Sequence, residues 1–194
     1  MNSNINNFFF PYFGPLIMAT KITKEQITNL KKICNKKVSH HRKLAGHFET
    51  EYRINTTEYE KIILDKLELY KKLYKDFYNK ELPSINTQVV WVNYMKAGDF
   101  NPPHIHTGCR FSSVLFLKVP KQLQEEADRF KGTSESPGSL AFIYGEHQPR
   151  DLNTMWAPMP KEGDMFIFPS FVSHWVYPFK SKNVERVSVA ANYD

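Results

Sequence analysis

Two histidines separated by one residue, His104 and His106, lie in the segment 91–108, which reads WVNYMKAGDFNPPHIHTG. Side chains two positions apart on a strand point to the same face, so both imidazoles can reach one point. Imidazole is a good ligand for zinc, copper, iron and nickel. His174 is the best candidate for a third ligand, because it follows a strand-like run and a proline-containing turn that can bring it beside the pair. The spacing therefore predicts a metal centre of His104, His106 and His174.

The role of His106 has an alternative, because a histidine beside a metal can also orient another ligand or the substrate. A carboxylate would then complete the set of ligands, and the candidates are Asp99, Glu146 and Asp151. None of these three has the spacing that a ligand of this pair needs. The remaining histidines are expected to be structural or exposed to solvent: His40, His41, His47 and His147.

Arg186 and Ser188 share one face of a predicted strand that begins 12 residues beyond His174, while the valines between and after them face the other way. A guanidinium group matches a carboxylate with two parallel hydrogen bonds, and a hydroxyl two residues on adds a third bond to the same anion. The pair therefore predicts a carboxylate-binding site. The alternative is an ion pair of Arg186 with Glu185 or Asp164 at the edge of a sheet.

Other side chains of the same region can complete a pocket. Tyr94, on the strand that enters the site, can offer a hydroxyl to the same anion, and its alternative is plain packing in the core. Large aromatic side chains are more often buried in a core than exposed in a pocket, but one asparagine and three tryptophans are further candidates for the pocket wall. These candidates are Trp91, Asn93, Trp156 and Trp175.

Two capping-box patterns predict helices in the N-terminal part of the chain. In this pattern a threonine side chain accepts a hydrogen bond from the third helical residue, whose side chain bonds back to the threonine backbone. Thr23 with Gln26 marks the first helix, and Thr57 with Glu60 marks the second. Apolar residues then recur at helical spacing until Pro83, which cannot continue a helix. The second helix is therefore expected to be long and amphipathic.

The C-terminal part of the chain consists of short runs rich in Val, Ile, Phe, Tyr and Trp, separated by Gly, Pro, Asn and Asp, which is typical of strands. Residues 34–54 are expected to be loop, and the polar segment 121–137 a surface insertion or a mobile lid. Helices followed by strands favour an α+β fold in one domain, residues 1–194, with 1–82 as helical support and 83–194 as the β core. The predicted strands are 85–95, 111–119, 139–144, 164–168, 174–178 and 186–192.

Composition excludes several classes of protein. No apolar run approaches the roughly 20 residues of a membrane-spanning helix, and the apolar segment 8–18 is interrupted by prolines and lacks the preceding basic stretch of a signal peptide. The net charge of +6 lies within residues 1–82, where acids alternate with the lysines. This favours a solvated helix surface over a nucleic-acid contact. Two cysteines cannot form a disulfide scaffold, so a reducing, cytoplasmic location is expected.

Together these motifs resemble the non-haem Fe(II)- and 2-oxoglutarate-dependent oxygenases, especially the prolyl-hydroxylase-like branch and short members common in phages and bacteria. The resemblance extends over residues 91–192. It rests on a strand tyrosine, an H-x-H pair, a distal histidine after GD-x-F-x-F-P and an R-x-S pair. The matching residues are Tyr94, Gly98, His104, His106, Gly163, Asp164, Phe168, Pro169, His174, Arg186 and Ser188.

The resemblance implies a double-stranded β-helix, a jelly-roll or cupin-like barrel of two antiparallel sheets, with the N-terminal helices packed on its outside. It also implies that the histidines hold Fe(II) and that O2 and 2-oxoglutarate are consumed, with the distal carboxylate of 2-oxoglutarate on Arg186 and Ser188. The implied activity is C–H hydroxylation coupled to decarboxylation of 2-oxoglutarate. A prolyl or other peptidyl group is the suggested substrate, and a small molecule is the other choice.

One position departs from the family pattern, because His106 stands where most members carry Asp or Glu. Three histidine ligands are also typical of cupins, so a cupin-type metalloenzyme that does not use 2-oxoglutarate is the alternative. The glutamate expected in that motif is missing, since Arg110 and Phe111 occupy its place. A non-catalytic binding barrel is the third reading. The Arg186–Ser188 pair favours the oxygenase.

Overall fold

The computed structural model describes residues 14–40, 44–48, 50–130, 137–146 and 154–194. The helices are α1 (Lys24–Ile33), α2 (Thr56–Tyr78) and α3 (Lys121–Arg129). The strands are β1 (Met18–Lys21), β2 (Val38–Ser39), β3 (Glu51–Arg53), β4 (Thr87–Met95), β5 (Asn101–His104), β6 (Phe111–Lys118), β7 (Leu140–Ile143), β8 (Met155–Trp156), β9 (Asp164–Pro169), β10 (Ser173–Val176) and β11 (Arg186–Tyr193). His41, His147 and Asp151 lie outside the described residues.

The strands form two antiparallel sheets. The larger has the order β1-β9-β6-β11-β4-β3-β2, and the smaller has the order β5-β10-β7-β8. Strand β11 lies in the middle of the larger sheet and pairs along its length with β4 on one side and β6 on the other. The predicted α+β architecture is confirmed, and the six strands predicted in the C-terminal part are all present within one or two residues at each end.

Helix α1 begins as the sequence predicts. Thr23 Oγ1 accepts a hydrogen bond from the backbone N–H of Gln26 at 3.1 Å, and Gln26 Oε1 accepts one from the backbone N–H of Thr23 at 2.9 Å. Gln26 Nε2 also donates to the carbonyl oxygen of Ile62 at 2.8 Å. The same side chain therefore caps α1 and ties it to α2.

The predicted start of α2 is wrong by two residues. Asn55, not Thr57, is the cap, and its side chain accepts a hydrogen bond from the backbone N–H of Glu58 at 2.9 Å. Asparagine is at least as good a cap as threonine, so the earlier residue prevails. Glu60 does not bond back to the cap but accepts from the backbone N–H of Thr87 at 3.1 Å, which anchors the helix to β4.

Side chains of β11 point alternately to two cores. Those of Val187, Val189 and Ala191 face α1 and α2, on the side that we call the outer face of the larger sheet. Those of Arg186, Ser188 and Ala190 face the smaller sheet, on the inner face. The outer core includes Leu30, Tyr59, Ile63, Leu67, Val90, Val92, Leu115, Val189 and Ala191. The core between the sheets includes Met95, Phe116, Leu140, Phe142, Phe166 and Phe168.

Two predicted loop regions contain regular structure. Residues 34–54 supply β2 and β3, which extend the larger sheet beyond β4. Together with β1 they show that the described part of the predicted helical support also contributes three strands to the larger sheet. The segment 121–137 begins with α3, whose apolar side is anchored by the fully buried Leu123. No helix within the described ranges is long and apolar enough to cross a membrane.

Candidate metal centre

The three candidate histidines come together between the sheets. His104 on β5 lies directly opposite His174 on β10, and their ring centroids are 4.3 Å apart. His106 follows β5, where its backbone N–H donates to the carbonyl oxygen of Ser170 at 3.0 Å. One ring nitrogen from each histidine lies within 4.8 Å of one from both others. Three nitrogen atoms at this separation can bind one metal ion.

Backbone carbonyls fix the orientation of two of the rings. His104 Nδ1 lies 2.7 Å from the carbonyl oxygen of Pro102, and His174 Nδ1 lies 2.9 Å from that of Val172. A carbonyl oxygen only accepts, so Nδ1 must be the donor in both rings and Nε2 keeps its lone pair. A hydrogen bond of this kind holds a ligand ring in place and raises its basicity.

The cluster favours neutral imidazole. Burial, with the repulsion of His104, lowers the pKa of His174 to about 3. The same two causes lower the pKa of His106 to about 4. Both rings are therefore uncharged near neutral pH, which is the state that a metal ligand requires.

The candidate carboxylates stand apart from the cluster. Among the described residues the group contains histidines only. Asp99 Oδ2 instead accepts a hydrogen bond from the backbone N–H of Lys96 at 2.7 Å, and Glu146 is exposed. The donor set is thus three neutral nitrogens, which suits a divalent transition metal such as iron.

Arg186 is buried on the inner face and is only 1% exposed. It donates to the carbonyl oxygen of Gly138, its Nη2 lies 2.8 Å from Met95 Sδ, and its guanidinium carbon lies 5.1 Å from the ring centroid of Phe116. Its Nε has no partner. Burial lowers the pKa of Arg186 to about 9, so the group still carries its charge near neutral pH.

The ion pairs proposed as an alternative for Arg186 do not form. Asp164 pairs with Lys21 at 2.6 Å, and Glu185 lies 4.0 Å from Lys36. Within the described ranges Arg186 has no acidic partner. A buried cation without a counter-charge is costly, and an anionic ligand removes that cost.

Ser188 and Asn93 are direct cross-strand neighbours on the inner face. Ser188 Oγ and Asn93 Oδ1 are buried without a hydrogen-bond partner. Both line one cleft that also contains Trp91, Arg186 and the three histidines, and we call it the inner cleft. The candidate metal ligands and the Arg186 guanidinium therefore open into the same space, and the unpartnered Nε of Arg186 and hydroxyl of Ser188 fit a carboxylate there.

Tyr94 does not share this space. It lies on the outer face, next to Val92 in the alternation of β4, and its hydroxyl donates to the carbonyl oxygen of Cys34 at 3.5 Å. The ammonium of Lys36 lies 4.3 Å from the centroid of its ring. The predicted contact of Tyr94 with a bound anion does not fit this position.

The predicted pocket residues divide into two groups. Trp91 and Asn93 line the inner cleft. Trp156 is 41% exposed and stacks on Phe142 with ring centroids 5.8 Å apart, outside the lining of the cleft. Trp175 alternates with His174, and its ring contacts Tyr177 at 5.9 Å. Neither tryptophan therefore lines the site: Trp156 lies at the edge of the core between the sheets, where it also contacts Phe166, and Trp175 lies on the opposite face of the smaller sheet from His174.

Asn192, which lines the inner cleft, and Glu51, which lies opposite Asn93 at its edge, have no counterpart in the sequence-based prediction. Asn192 Nδ2 lies 3.5 Å from His106 Nδ1, and Asn192 Oδ1 accepts from Ser112 Oγ at 3.0 Å. The alternation of Arg186 and Ser188, continued for two more steps, identifies Asn192. Glu51 lies on the inner face of β3, where no sequence signal marks it.

Comparison with solved structures gives the fold. The chain is similar to an oxidoreductase of the 2OG-Fe(II) oxygenase family from Burkholderia pseudomallei, with TM-score 0.58, 13% identity and coverage of 93% of this chain and 84% of that one. It is also similar to a prolyl-4-hydroxylase from Pseudomonas putida, with TM-score 0.53, 14% identity and coverage of 91% of this chain and 91% of that one. A third similar structure is the viral collagen prolyl hydroxylase of Paramecium bursaria Chlorella virus-1, with TM-score 0.56, 12% identity and coverage of 91% of this chain and 94% of that one. The expected double-stranded β-helix is therefore confirmed.

Family membership follows from the sequence itself. No curated protein matches the chain. Residues 89–192 match the sequence model of the family described as "Putative 2OG-Fe(II) oxygenase". The match covers more than half of the chain and contains the three histidines, Arg186 and Ser188. This protein belongs to the 2OG-Fe(II) oxygenase family, a family of enzymes that use Fe(II) and 2-oxoglutarate.

Proposed function

We propose that this protein is a hydroxylase in which His104, His106 and His174 hold Fe(II) while Arg186 and Ser188 bind the distal carboxylate of 2-oxoglutarate. The observation that supports this most strongly is the inner cleft, which joins three neutral imidazoles to a buried guanidinium that has no acidic partner among the described residues and whose Nε is free. When bound, iron and 2-oxoglutarate supply the oxidising chemistry: O2 and 2-oxoglutarate give succinate and CO2, and one oxygen atom is added to a C–H bond.

The protein contributes binding, orientation and exclusion of water. The carbonyls of Pro102 and Val172 hold two ligand rings with Nε2 free. A dicarboxylate accepts hydrogen bonds but donates none, so it matches the free Nε of Arg186 and the free hydroxyl of Ser188. Phe116 beside Arg186 and Phe168 beside His174 are both buried in the core between the sheets, where they exclude water from the two groups.

The third histidine distinguishes this site from a site with two histidines and one carboxylate. Three neutral ligands leave the full charge of a divalent ion, one positive unit more than a set that contains Asp or Glu. A more positive centre attracts an anionic cosubstrate more strongly. His106 in the place of a carboxylate is therefore compatible with binding of 2-oxoglutarate.

The substrate that we propose is a prolyl or other peptidyl group, with a small molecule as the other choice. The support is the fold shared with prolyl hydroxylases from a bacterium and a virus.

The location that we propose is the cytoplasm. Cys34 and Cys109 are free thiols, which suits the reducing environment of the cytoplasm.

A cupin-type metalloenzyme that does not use 2-oxoglutarate is the second candidate. The all-histidine cluster favours it, because no described carboxylate joins the candidate ligands. The two functions differ in whether turnover requires Arg186. Turnover in the cupin-type enzyme does not need this residue, whereas the proposed hydroxylase loses its cosubstrate when Arg186 is replaced.

The test measures succinate formed in air from 2-oxoglutarate by the purified protein, with and without Fe(II). We expect formation to require the metal and to fall at least about 1,000-fold in His174→Ala, because two remaining ligands hold the metal weakly. His47→Ala, which removes an exposed histidine outside the cluster, is the matched control. Undiminished turnover in His174→Ala contradicts the assignment. Absence of any stabilisation by Fe(II) and 2-oxoglutarate favours a non-catalytic barrel.

A further inference from the structure

Glu51 is a buried carboxylate with no partner. It lies on β3 with 0% of its surface exposed, and neither Oε1 nor Oε2 has a hydrogen bond. An unpartnered carboxylate in the interior carries a large desolvation cost. Burial, with the negative charge of Asp99, raises the pKa of Glu51 to about 8.

Glu51 continues the polar groups of the inner cleft onto a third strand. It lies directly opposite Asn93 on β4, which lies directly opposite Ser188 on β11. Cross-strand partners point to the same face and have Cβ atoms roughly 5 Å apart. Glu51, Asn93 and Ser188 therefore form one polar row across the inner face.

Unpartnered polar atoms concentrate on this face. In the part of the chain that the structure describes, buried side-chain atoms without a partner occur on five residues, and Thr87 is the one that is neither in the row nor Arg186. Satisfied networks are the rule in protein interiors, so a group of such atoms in one place needs a ligand to explain it.

A single dicarboxylate does not satisfy all of these atoms. It accepts hydrogen bonds from Arg186 Nε and Ser188 Oγ but has none to donate. In its ionised form, which a neighbouring cation favours against the burial that raises its pKa, Glu51 offers two acceptor oxygens. These atoms and Asn93 Oδ1 still need a donor after the cosubstrate has bound. A second ligand with N–H groups supplies what the first one lacks.

None of the described residues around Glu51 supplies this donor. Gly46 covers the carboxylate so closely that a Cβ there would lie 2.9 Å from Oε1. The segment 44–48 that contains it is fastened to the chain before β5, where the N–H of His47 donates to the carbonyl oxygen of Phe100 at 2.9 Å. The charged neighbour that acts on Glu51 is Asp99, which is also an acid.

We propose that Glu51, together with Asn93, recognises a positively charged group of the primary substrate, an ammonium or a guanidinium. This inference rests on the proposed function, because it assigns the substrate class of the same cleft. A cation with several N–H donors matches two carboxylate oxygens and one amide oxygen in both charge and hydrogen bonding. The peptidyl substrate of the proposed hydroxylase then carries a lysine-like or arginine-like group next to the bond that reacts.

The experiment uses the full chain loaded with Mn(II) and 2-oxoglutarate, which bind without turnover of the substrate. Binding is measured by calorimetry for two matched pairs of probes: acetyl-arginine amide against acetyl-citrulline amide, and acetyl-lysine amide against acetyl-(Nε-acetyl)lysine amide. We expect the charged member of at least one pair to bind at least about tenfold more tightly, as for a hydrogen bond to a charged group.

Variants test whether Glu51 causes this preference. Glu51→Gln removes the charge at constant shape, and we expect it to abolish the preference while binding of 2-oxoglutarate stays the same. Glu162→Gln is the matched control, because Glu162 is exposed and pairs with Lys31 at 3.6 Å on the surface. Glu51→Asp keeps the charge but shortens the side chain, so we expect it to retain part of the preference.

Three results overturn the inference: equal binding within each pair, no binding of any probe, or a full preference in Glu51→Gln. If Mn(II) and 2-oxoglutarate themselves fail to bind, the proposed function fails instead, so the two failures are distinguishable.

Discussion

The two faces of the larger sheet are both buried, but they differ in whether their buried polar groups have hydrogen-bond partners. On the outer face the hydroxyls of Tyr59, Ser113 and Tyr193 lie 2.7 to 3.2 Å apart and bond one another. On the inner face Glu51, Asn93, Ser188 and Arg186 keep buried atoms without partners. The same strands, β4, β6 and β11, supply both faces.

The difference indicates that the outer face mainly stabilises the fold and that the inner face mainly binds ligands. A satisfied hydroxyl network and packed apolar side chains lower the free energy of the folded chain by themselves. Unsatisfied groups raise that free energy until a ligand arrives, as functional sites commonly do. We therefore expect substitutions on the outer face to lower stability without changing binding, and substitutions on the inner face to change binding while leaving the stability of the unliganded chain similar or higher.

The largest effect is expected for Ile63→Ala, which should lower the free energy of unfolding without changing the affinity for 2-oxoglutarate. Ile63 is fully buried in the outer core. Removing its side chain beyond Cβ leaves a cavity and should lower the free energy of unfolding by about 3 kcal/mol, measured with urea at pH 7. The affinity for 2-oxoglutarate should change less than about twofold, since no inner contact is lost. A large loss of affinity in the folded variant would break the division between the faces.

Arg186→Met makes the opposite test on the inner face. We expect the Kd of 2-oxoglutarate, measured by calorimetry with Mn(II), to rise roughly 30-fold through loss of a charge-assisted hydrogen bond. The free energy of unfolding should change by less than about 1 kcal/mol, because loss of the donor to Gly138 offsets removal of a buried charge. Unchanged affinity for 2-oxoglutarate would favour the cupin-type alternative.

Glu51→Gln sharpens the comparison through pH. The pKa of Glu51 is about 8 in the folded chain and 4.5 in the unfolded chain. Below pH 4.5 the group is protonated in both states and does not affect the free energy of unfolding. As the pH rises from 4.5 towards 8, ionisation favours the unfolded chain, so the free energy of unfolding falls. Between pH 5.5 and 7.5 the unliganded wild-type chain should lose about 2 kcal/mol relative to the variant. Parallel stability curves for the two proteins, from urea unfolding at a series of pH values, would contradict this.

The smallest effect is expected for Tyr59→Phe. The substitution removes one hydroxyl from the outer network, while Ser113 and Tyr193 keep their mutual bond at 2.7 Å. The free energy of unfolding should fall by about 1 kcal/mol, with binding of 2-oxoglutarate unchanged. A stability equal to that of wild type would mean that the outer network contributes little.

Local patterns in the sequence predicted much of the fold. Strand composition located six strands, and the alternation of β11 assigned Arg186 and Ser188 to the face opposite Val187 and Val189, as the structure has them. The capping box at Thr23 fixed the start of α1. Each of these features depends on neighbours in the chain, which is why a single sequence contains the signal.

Features that depend on distant residues were not predictable in this way. The capping box expected at Thr57 does not form, because Glu60 bonds to the backbone of the distant Thr87 and not back to a cap. Tyr94 faces the outer core because β4 must place Trp91 and Asn93 on the inner face. Glu51 lies beside Asn93, at the edge of the cleft, because β3 pairs with β4, and no local sequence pattern predicts that pairing.

The register that places His104 opposite His174 joins positions 70 residues apart in the chain. Contacts of such long range carry a large loop-closure entropy and tend to slow folding. A metal ion held by both histidines, as proposed, would close that loop and would have to be released before β5 and β10 could separate. We therefore expect it to act mainly on the rate of unfolding, so that the lifetime of the smaller sheet is set by the occupancy of the centre.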